Sequence, residues 1–198
     1  MLFNLEWVTA EPDAVAQWDY GSTNGLAHHS VYRQDQELFS QQSAASAYSR
    51  SDQELAEWGT WYYATNDGDG TTYQSGSDSD VRGAFSSGGK LGNTKDGRFR
   101  AVNDNLPVFG FAVDLGQVNS NSANTLFSIG LSQPQSIQYT NGQNTTVSLP
   151  PLWKSYFSND LDAVSLLFTC FYKSLLIFFP AVFLPWRLFH SHRHVQQS

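Results

Sequence analysis

The residues that could carry chemistry in this chain are scattered acids and histidines, and none of them completes a motif. Residues 66–70 read Asn-Asp-Gly-Asp-Gly, which faintly resembles a calcium loop. A complete loop of that kind has regularly spaced oxygen ligands and a terminal glutamate, and both are missing. A plain hydrated turn is the favoured interpretation, and Asp78 and Asp80 are interpreted as further acidic loop residues. The sequence predicts no metal site and no cofactor.

The histidines form two short groups. His28 and His29 are adjacent, with no further histidine at a helical spacing and no cysteine nearby, so a structural role is favoured over metal binding. Residues 190–194 read His-Ser-His-Arg-His and could chelate a metal adventitiously. A disordered chain end is the favoured interpretation there.

Nucleophilic catalysis has no recognisable signature in this sequence. Serine and threonine are abundant, but no Gly-x-Ser-x-Gly elbow occurs. Gly88-Gly89 lacks the lysine and hydroxyl residue of a phosphate-binding loop. Catalytic residues are therefore unassigned. Asn144 begins an Asn-Thr-Thr sequon, which is a weak indication of N-glycosylation in a secreted protein.

Composition limits the class of protein. The chain has 198 residues, 40% of them hydrophobic and 15% aromatic, which supports one domain with at most an appendage. The formal net charge is −7, and this acidic balance argues against nucleic acid as a partner. Cys170 is the one cysteine, so no disulfide forms within the chain. The first residues have no basic, apolar signal peptide.

The elements that must position any site are predicted to be short strands. Alternating apolar residues at 109–115 and 127–131 indicate strands with one buried face, and residues 58–64 are aromatic enough for a buried strand. Asn141-Gly142 predicts a hairpin whose return strand carries Val147 and Leu149. Little helix is expected. The fold class is mainly β, an antiparallel β-sandwich. The side chains predicted to be buried are Phe109, Phe111, Val113, Phe127, Ile129 and Leu131.

Many ordered blocks together resemble the N-terminal domain of the fungal glutaminase A family. The blocks are Glu6-Trp7-Val8, residues 18–23, His28-His29, residues 32–34, residues 57–63, residues 82–85, residues 99–104 and Pro107-Val108-Phe109. The resemblance covers roughly residues 3–163. It implies a β-sandwich that precedes a larger helical domain in a secreted protein that hydrolyses glutamine. Family chains are longer at both ends, so it also implies a partial sandwich.

The chain changes character after residue 163. All 18 carboxylates lie between Glu6 and Asp162, and the tail of residues 164–198 has only Lys173, Arg187 and Arg193 as formal charges. We predict two regions: a sandwich domain over 1–163 and a short helical, apolar tail over 164–198. The tail is either a membrane segment or an aberrant C-terminus. Lys173 and two prolines interrupt it, so an aggregation-prone liability is favoured, and its deletion is expected to raise soluble yield.

The resemblance implies an extracellular protein with glutamine as its substrate, and the fragment by itself is expected to be non-catalytic. Two alternatives stay open at this point. One is a glycan-binding sandwich that stacks sugars on exposed aromatic residues, and the other is a surface protein anchored to the membrane through residues 164–198. Loss of glutamine turnover on mutating Asp19 or Glu57 would show that the site lies in this domain after all.

Overall fold

The structure is a computed structural model, and it describes residues 1–9, 11–34, 59–118 and 124–170. Several predictions concern residues outside these ranges. They are the tail beyond residue 170, the histidine run at 190–194, and the start of the aromatic block at 57–58. Among the described residues, no helix has both the length and the apolar character needed to cross a bilayer.

One sheet has five antiparallel strands. In spatial order they are β6 (Arg100–Ala101), β2 (Val15–Thr23), β3 (Leu26–Arg33), β4 (Thr60–Asn66) and β8 (Phe127–Ser132). Asn24 and Gly25 join β2 to β3 with φ angles of 55° and 74°, a left-handed backbone that glycine and asparagine tolerate best.

The second sheet has three antiparallel strands. They are β1 (Leu2–Asn4), β7 (Pro107–Val113) and β5 (Thr71–Ser77), in the order β1-β7-β5. The apolar alternation of the first residues predicts a longer first strand, but β1 ends at Asn4 and a 3-10 helix covers Leu5–Trp7. A separate two-stranded hairpin pairs β9 (Ile137–Thr140) with β10 (Thr146–Leu149), which confirms the prediction made from Asn141-Gly142.

The two larger sheets pack face to face around an aromatic core. Phe3 of β1 lies 5.8 Å from Tyr63 of β4, centroid to centroid. Phe111 of β7 lies 4.7 Å from His29 of β3. Because alternate side chains of each strand point into this layer, the architecture is an antiparallel β-sandwich. The predicted mainly β, antiparallel character is confirmed for the part of the chain that the structure describes, and the helical, apolar tail stays a prediction.

The burial predicted for two strands is only partly right. Phe109 and Phe111 are fully buried, as their spacing predicts. Val113, Phe127 and Leu131 are half-buried. The prediction for Ile129 is wrong, because 40% of this residue is exposed. Strand β8 is the edge strand of the five-stranded sheet. Ring contacts place the three-stranded sheet over β2, β3 and β4, so the inner face of β8 extends beyond the facing sheet.

A helix occupies the segment interpreted as an acidic loop. Helix α1 (Asp78–Gly88) follows β5 directly, so Asp78 and Asp80 lie in its first turn. Ser77 caps the helix by accepting a 3.2 Å hydrogen bond from the Asp80 amide, and Gly89 ends it with a φ of 66°. These are strong capping signals. Weak helix formers inside the segment obscure these capping signals in the sequence. The burial of Val81 against the three-stranded sheet compensates for the low helix propensity of the segment.

A second helix follows the hairpin. After a 3-10 helix at Leu152–Ser155, residues 160–170 form helix α2. This helix runs through residue 163, where the boundary between domain and tail is predicted. The division into 1–163 and 164–198 remains a prediction.

Candidate functional site

The two adjacent histidines occupy opposite faces of β3. His29 points into the sandwich and is 1% exposed. Its Nε2 lies 3.2 Å from the Gly110 carbonyl oxygen, which identifies Nε2 as the protonated nitrogen. Its Nδ1 is buried without a hydrogen-bond partner. Burial lowers the pKa of His29 to about 4, so this ring is a neutral core residue at physiological pH.

The rings around His29 join the two sheets. Tyr20 of β2 and Tyr73 of β5 are stacked with their ring centroids 3.3 Å apart and their planes 8° from parallel. Burial raises the pKa of Tyr20 to about 12. Tyr63 donates a 2.8 Å hydrogen bond to the carbonyl oxygen of Met1. These rings therefore hold the two sheets together. The position of His29 among them agrees with the structural role predicted for the histidines.

His28 lies on the outer face of the five-stranded sheet. It pairs across the strands with Gly21, and a Cβ atom on that glycine would come within 2.9 Å of the imidazole ring. Gly21 thus leaves room for the ring to lie flat on β2. Burial lowers the pKa of His28, and the nearby Asp19 carboxylate opposes this effect. The neutral form is favoured, and the two histidines share no site because they face opposite sides of the sheet.

The first turn of helix α2 is hydrogen-bonded to this outer face. Asp160 accepts a 2.6 Å hydrogen bond from the Ser132 hydroxyl of β8 and a 3.5 Å hydrogen bond from the Tyr62 hydroxyl of β4. Burial, together with the Asp160 charge, raises the pKa of Tyr62 to about 12, so this hydroxyl remains a donor. The first turn of a helix also favours a carboxylate because of the helix dipole.

The start of α2 is fixed by its own capping residues. The Asn159 side-chain oxygen accepts a 2.9 Å hydrogen bond from the Asp162 amide, and the Asn159 side-chain nitrogen donates to the Asp162 carboxylate at 2.9 Å. The first of these bonds is an N-cap hydrogen bond, and the second joins the two side chains and holds the Asn159 amide in its capping orientation. Further along the helix, Phe168 is buried against Leu26 and Ala64. We call this surface, formed by Ser132, Tyr62, Ala64 and Leu26, the helix-docking face.

Five of the other acids in the described part of the chain lie in ion pairs. Lys95 donates a 2.7 Å hydrogen bond to Asp19 and thereby lowers the pKa of that carboxyl. Arg100 contacts Asp96 while its guanidinium lies over the Trp18 ring. Further ion pairs join Arg82 to Asp78, Arg98 to Asp104, and Arg33 to Glu11. These carboxylates are held in structural contacts.

The acidic turn at 66–70 joins β4 to β5. The Asp67 amide donates to the Gly25 carbonyl at 2.8 Å, and the Thr71 amide donates to the Gly68 carbonyl at 2.8 Å. The Asp67 carboxylate accepts a hydrogen bond from the Ser22 hydroxyl. Within residues 1–9, 11–34, 59–118 and 124–170, no three His, Cys, Asp or Glu side chains converge so as to hold a metal ion.

Asn144 lies in the turn of the β9–β10 hairpin. It is exposed and has a φ of 58°, and its amide donates to the Asn141 carbonyl at 2.9 Å. The side chain is therefore accessible to a modifying enzyme. Glycosylation there remains a prediction.

The anchor at Asp160 is the feature that sequence reasoning missed. Its signal is the sequence Asn159 followed three residues later by Asp162, which marks a helix start. The partners Ser132 and Tyr62 could not be found this way, because they are 28 and 98 residues distant along the chain.

These observations define the class of protein: a β-sandwich domain with a capped helix on its outer face. A model of the family described as "Domain of unknown function (DUF5127)" matches residues 2–175. The chain belongs to this family. No solved structure matches the chain.

Two fungal relatives confirm the resemblance to the glutaminase A family. Glutaminase A of Aspergillus oryzae is 53% identical over 162 residues, which cover 81% of this chain and 22% of that protein. A probable glutaminase of Arthroderma benhamiae is 29% identical over 171 residues, which cover 79% of this chain and 18% of that protein. The chain thus spans about a fifth of the length of these curated relatives.

Proposed function

We propose that this chain is the β-sandwich part of a glutamine amidohydrolase, and that its task is to position the polypeptide that follows it. The single observation that carries the proposal is the fastening of helix α2 to the helix-docking face. Asp160 holds the start of the helix through Ser132, and Phe168 is buried two turns later. A helix held at two points leaves the sandwich in a defined direction.

Glutamine enters the proposal through the relatives. The Aspergillus oryzae protein is named a glutaminase, and 53% identity over 162 residues indicates the same sandwich in both proteins. Amide hydrolysis needs an activated nucleophile or water together with oxyanion stabilisation in one fixed geometry. The histidines and acids described above lie in the core, in ion pairs, in the turn at 66–70 and at the start of helix α2. We therefore place the glutamine site in the longer polypeptide outside this chain.

A chimera tests this role. Residues 1–170 of this chain, which include both Asp160 and Phe168, replace the matching segment of the Aspergillus oryzae glutaminase A, and ammonia release from glutamine is measured. We expect activity, and we expect Asp160→Ala to reduce activity and thermal stability together. Asp69→Ala is the matched control, since Asp69 is an exposed acid in the turn between β4 and β5. A folded chimera in which both variants behave alike would remove the support for a positioning role.

An extracellular location is part of the same proposal. The exposed Asn144 sequon in a hairpin turn supports it, because glycosylation requires passage through the secretory pathway. Expression with a secretion signal in a fungal host should give a product that glycosidase treatment makes lighter. Asn144→Gln should abolish this mass difference, and an unmodified wild-type product would count against the proposal.

A further inference from the structure

The β9–β10 hairpin has one entirely apolar face. Ile137 is registered opposite Leu149, and Tyr139 is registered opposite Val147. Because alternate residues of a strand point to opposite faces, these four side chains share one face. The residues that alternate with them, among them Thr140, Thr146 and Ser148, belong to the other face and are polar. This separation of apolar and polar side chains is typical of a hairpin whose apolar face packs against another part of a protein.

Three of the four side chains on this apolar face are exposed, and Val147 is half-buried. The exposed fractions are 55% for Ile137, 48% for Tyr139 and 41% for Leu149. The hairpin forms a sheet of its own, separate from the two sheets of the sandwich. A two-stranded hairpin is only marginally stable in water unless its apolar face is covered. Just beyond the hairpin in the chain, Leu152 is 75% exposed and Tyr156 is 74% exposed.

We propose that the hairpin face formed by Ile137, Tyr139, Val147 and Leu149 is a docking surface for an apolar, uncharged patch elsewhere in the longer polypeptide of this family. The inference rests on the proposed function, because it requires that this sandwich operate within a longer chain. The relatives supply the length, since the chain spans only 22% of the Aspergillus oryzae protein.

The chemistry of the segment defines the partner. Residues 131–153 contain no Asp, Glu, Lys or Arg, so a charged partner would lose its hydration here and gain no ion pair. The polar rim consists of threonine, serine, asparagine and glutamine, which can form hydrogen bonds with a neutral surface. The partner patch therefore has aliphatic or aromatic side chains at its centre and neutral polar groups around it.

Area argues against a second copy of this chain as the partner. A stable interface between separate proteins takes about 800 Å² from each partner, and four partly exposed side chains on one short hairpin provide well under that. A patch in the same polypeptide needs less area, because the covalent link raises its effective concentration. The occupant we infer is therefore intramolecular.

The test compares the hairpin in two settings, the full 198-residue chain and the chimera with glutaminase A. Ile137→Thr combined with Leu149→Thr removes the apolar side chains but keeps strand-forming residues. Thr140→Ser combined with Ser148→Thr is the matched control on the polar face. Thermal midpoints, hydrogen exchange of amides 137–149 and sedimentation are measured for each. Native glutaminase A, with the same changes at the matching positions, is a second host if the chimera does not fold.

We expect the amides of the hairpin to be protected on the order of tenfold more in the longer protein than in the 198-residue chain. The apolar-face variant should lower the midpoint of the longer protein by several degrees and leave that of the 198-residue chain unchanged. Equal protection in both settings, or an apolar-face variant that is silent in the longer protein, would overturn the proposal. So would a dimer of the 198-residue chain that the same variant dissociates. A folded chimera that protects the hairpin but does not hydrolyse glutamine would refute the proposed function alone.

Discussion

The carboxylate of Asp160 accepts a 2.6 Å hydrogen bond from the hydroxyl of Ser132, and this bond ties the first turn of helix α2 to the edge strand of the five-stranded sheet. Ser132 is buried. Removal of the carboxylate therefore leaves a buried hydroxyl without its acceptor, which costs more than the loss of an exposed bond.

Asp160→Ala should lower the free energy of unfolding by about 1.5–3 kcal/mol, the range for a hydrogen bond to a charged group. Urea denaturation of the 198-residue chain measures this. A double-mutant cycle with Ser132→Ala should show strong coupling, because each change removes the same bond. Additive effects of the two substitutions would mean that the bond contributes nothing to stability.

Phe111→Ala should cost about 3–5 kcal/mol, because a fully buried aromatic ring leaves a cavity between the sheets. Ile129→Ala is the comparison within the same alternating pattern. It should cost less than about 1 kcal/mol, since its side chain already contacts water and surface substitutions have small effects. The free energy of unfolding is measured by chemical denaturation. Equal losses of this free energy at Phe111 and Ile129 would contradict the finding that the facing sheet covers Phe111 but not Ile129.

The stability of the sandwich should fall as the pH drops from about 6.5 to about 4. His29 in the unfolded chain takes up a proton near its ordinary pKa of 6.5, whereas burial holds its pKa in the folded state at about 4. The unfolded state therefore binds more protons in this window, and stability rises with pH there, by up to about 3 kcal/mol. His29→Gln retains a donor for the Gly110 carbonyl but does not titrate. It should flatten this part of the pH profile, and an unchanged slope would exclude His29 as the cause.

Deletion of residues 164–198 should destabilise the sandwich. The change in composition after residue 163 led to the opposite expectation, that the deletion would raise soluble yield. Val164 and Phe168 pack with Leu26 and Ala64, and the deletion would expose that cluster to water. Deletion of residues 171–198 is the control, because it retains both contacts. Thermal midpoints of the two truncated proteins should differ, and the chain ending at 163 should be the less stable. A higher soluble yield and a higher thermal midpoint for the chain ending at 163 would support the expectation that residues 164–198 are an aggregation-prone liability.

Local patterns predicted the parts of this fold that depend on local rules. The Asn141-Gly142 signal predicts the hairpin, although the loop at 141–145 has its positive φ at Asn144. The alternation at 109–111 predicts a buried strand. The same alternation fails at Ile129, because burial of an edge strand depends on the width of the opposite sheet. Helix α1 was missed although Ser77 and Gly89 mark its ends, since its interior residues favour turns.

The candidate site was less predictable than the fold. Pairing of Asp160 with Ser132 and Tyr62 requires three distant segments to meet, and a single sequence does not contain that information. The hairpin's segregated faces are visible in the sequence only once the register is known. The resemblance to the glutaminase A family provided the connection to glutamine, which neither periodicity nor composition indicates.

Ammonia release from glutamine, measured in parallel for the purified 198-residue chain and for the chimera with glutaminase A, tests the central claim most directly. The account predicts background release by the chain alone and clear release by the chimera. Release well above background by the chain alone, abolished by Asp19→Asn in a protein that remains folded, would contradict it and place the catalytic site within the sandwich.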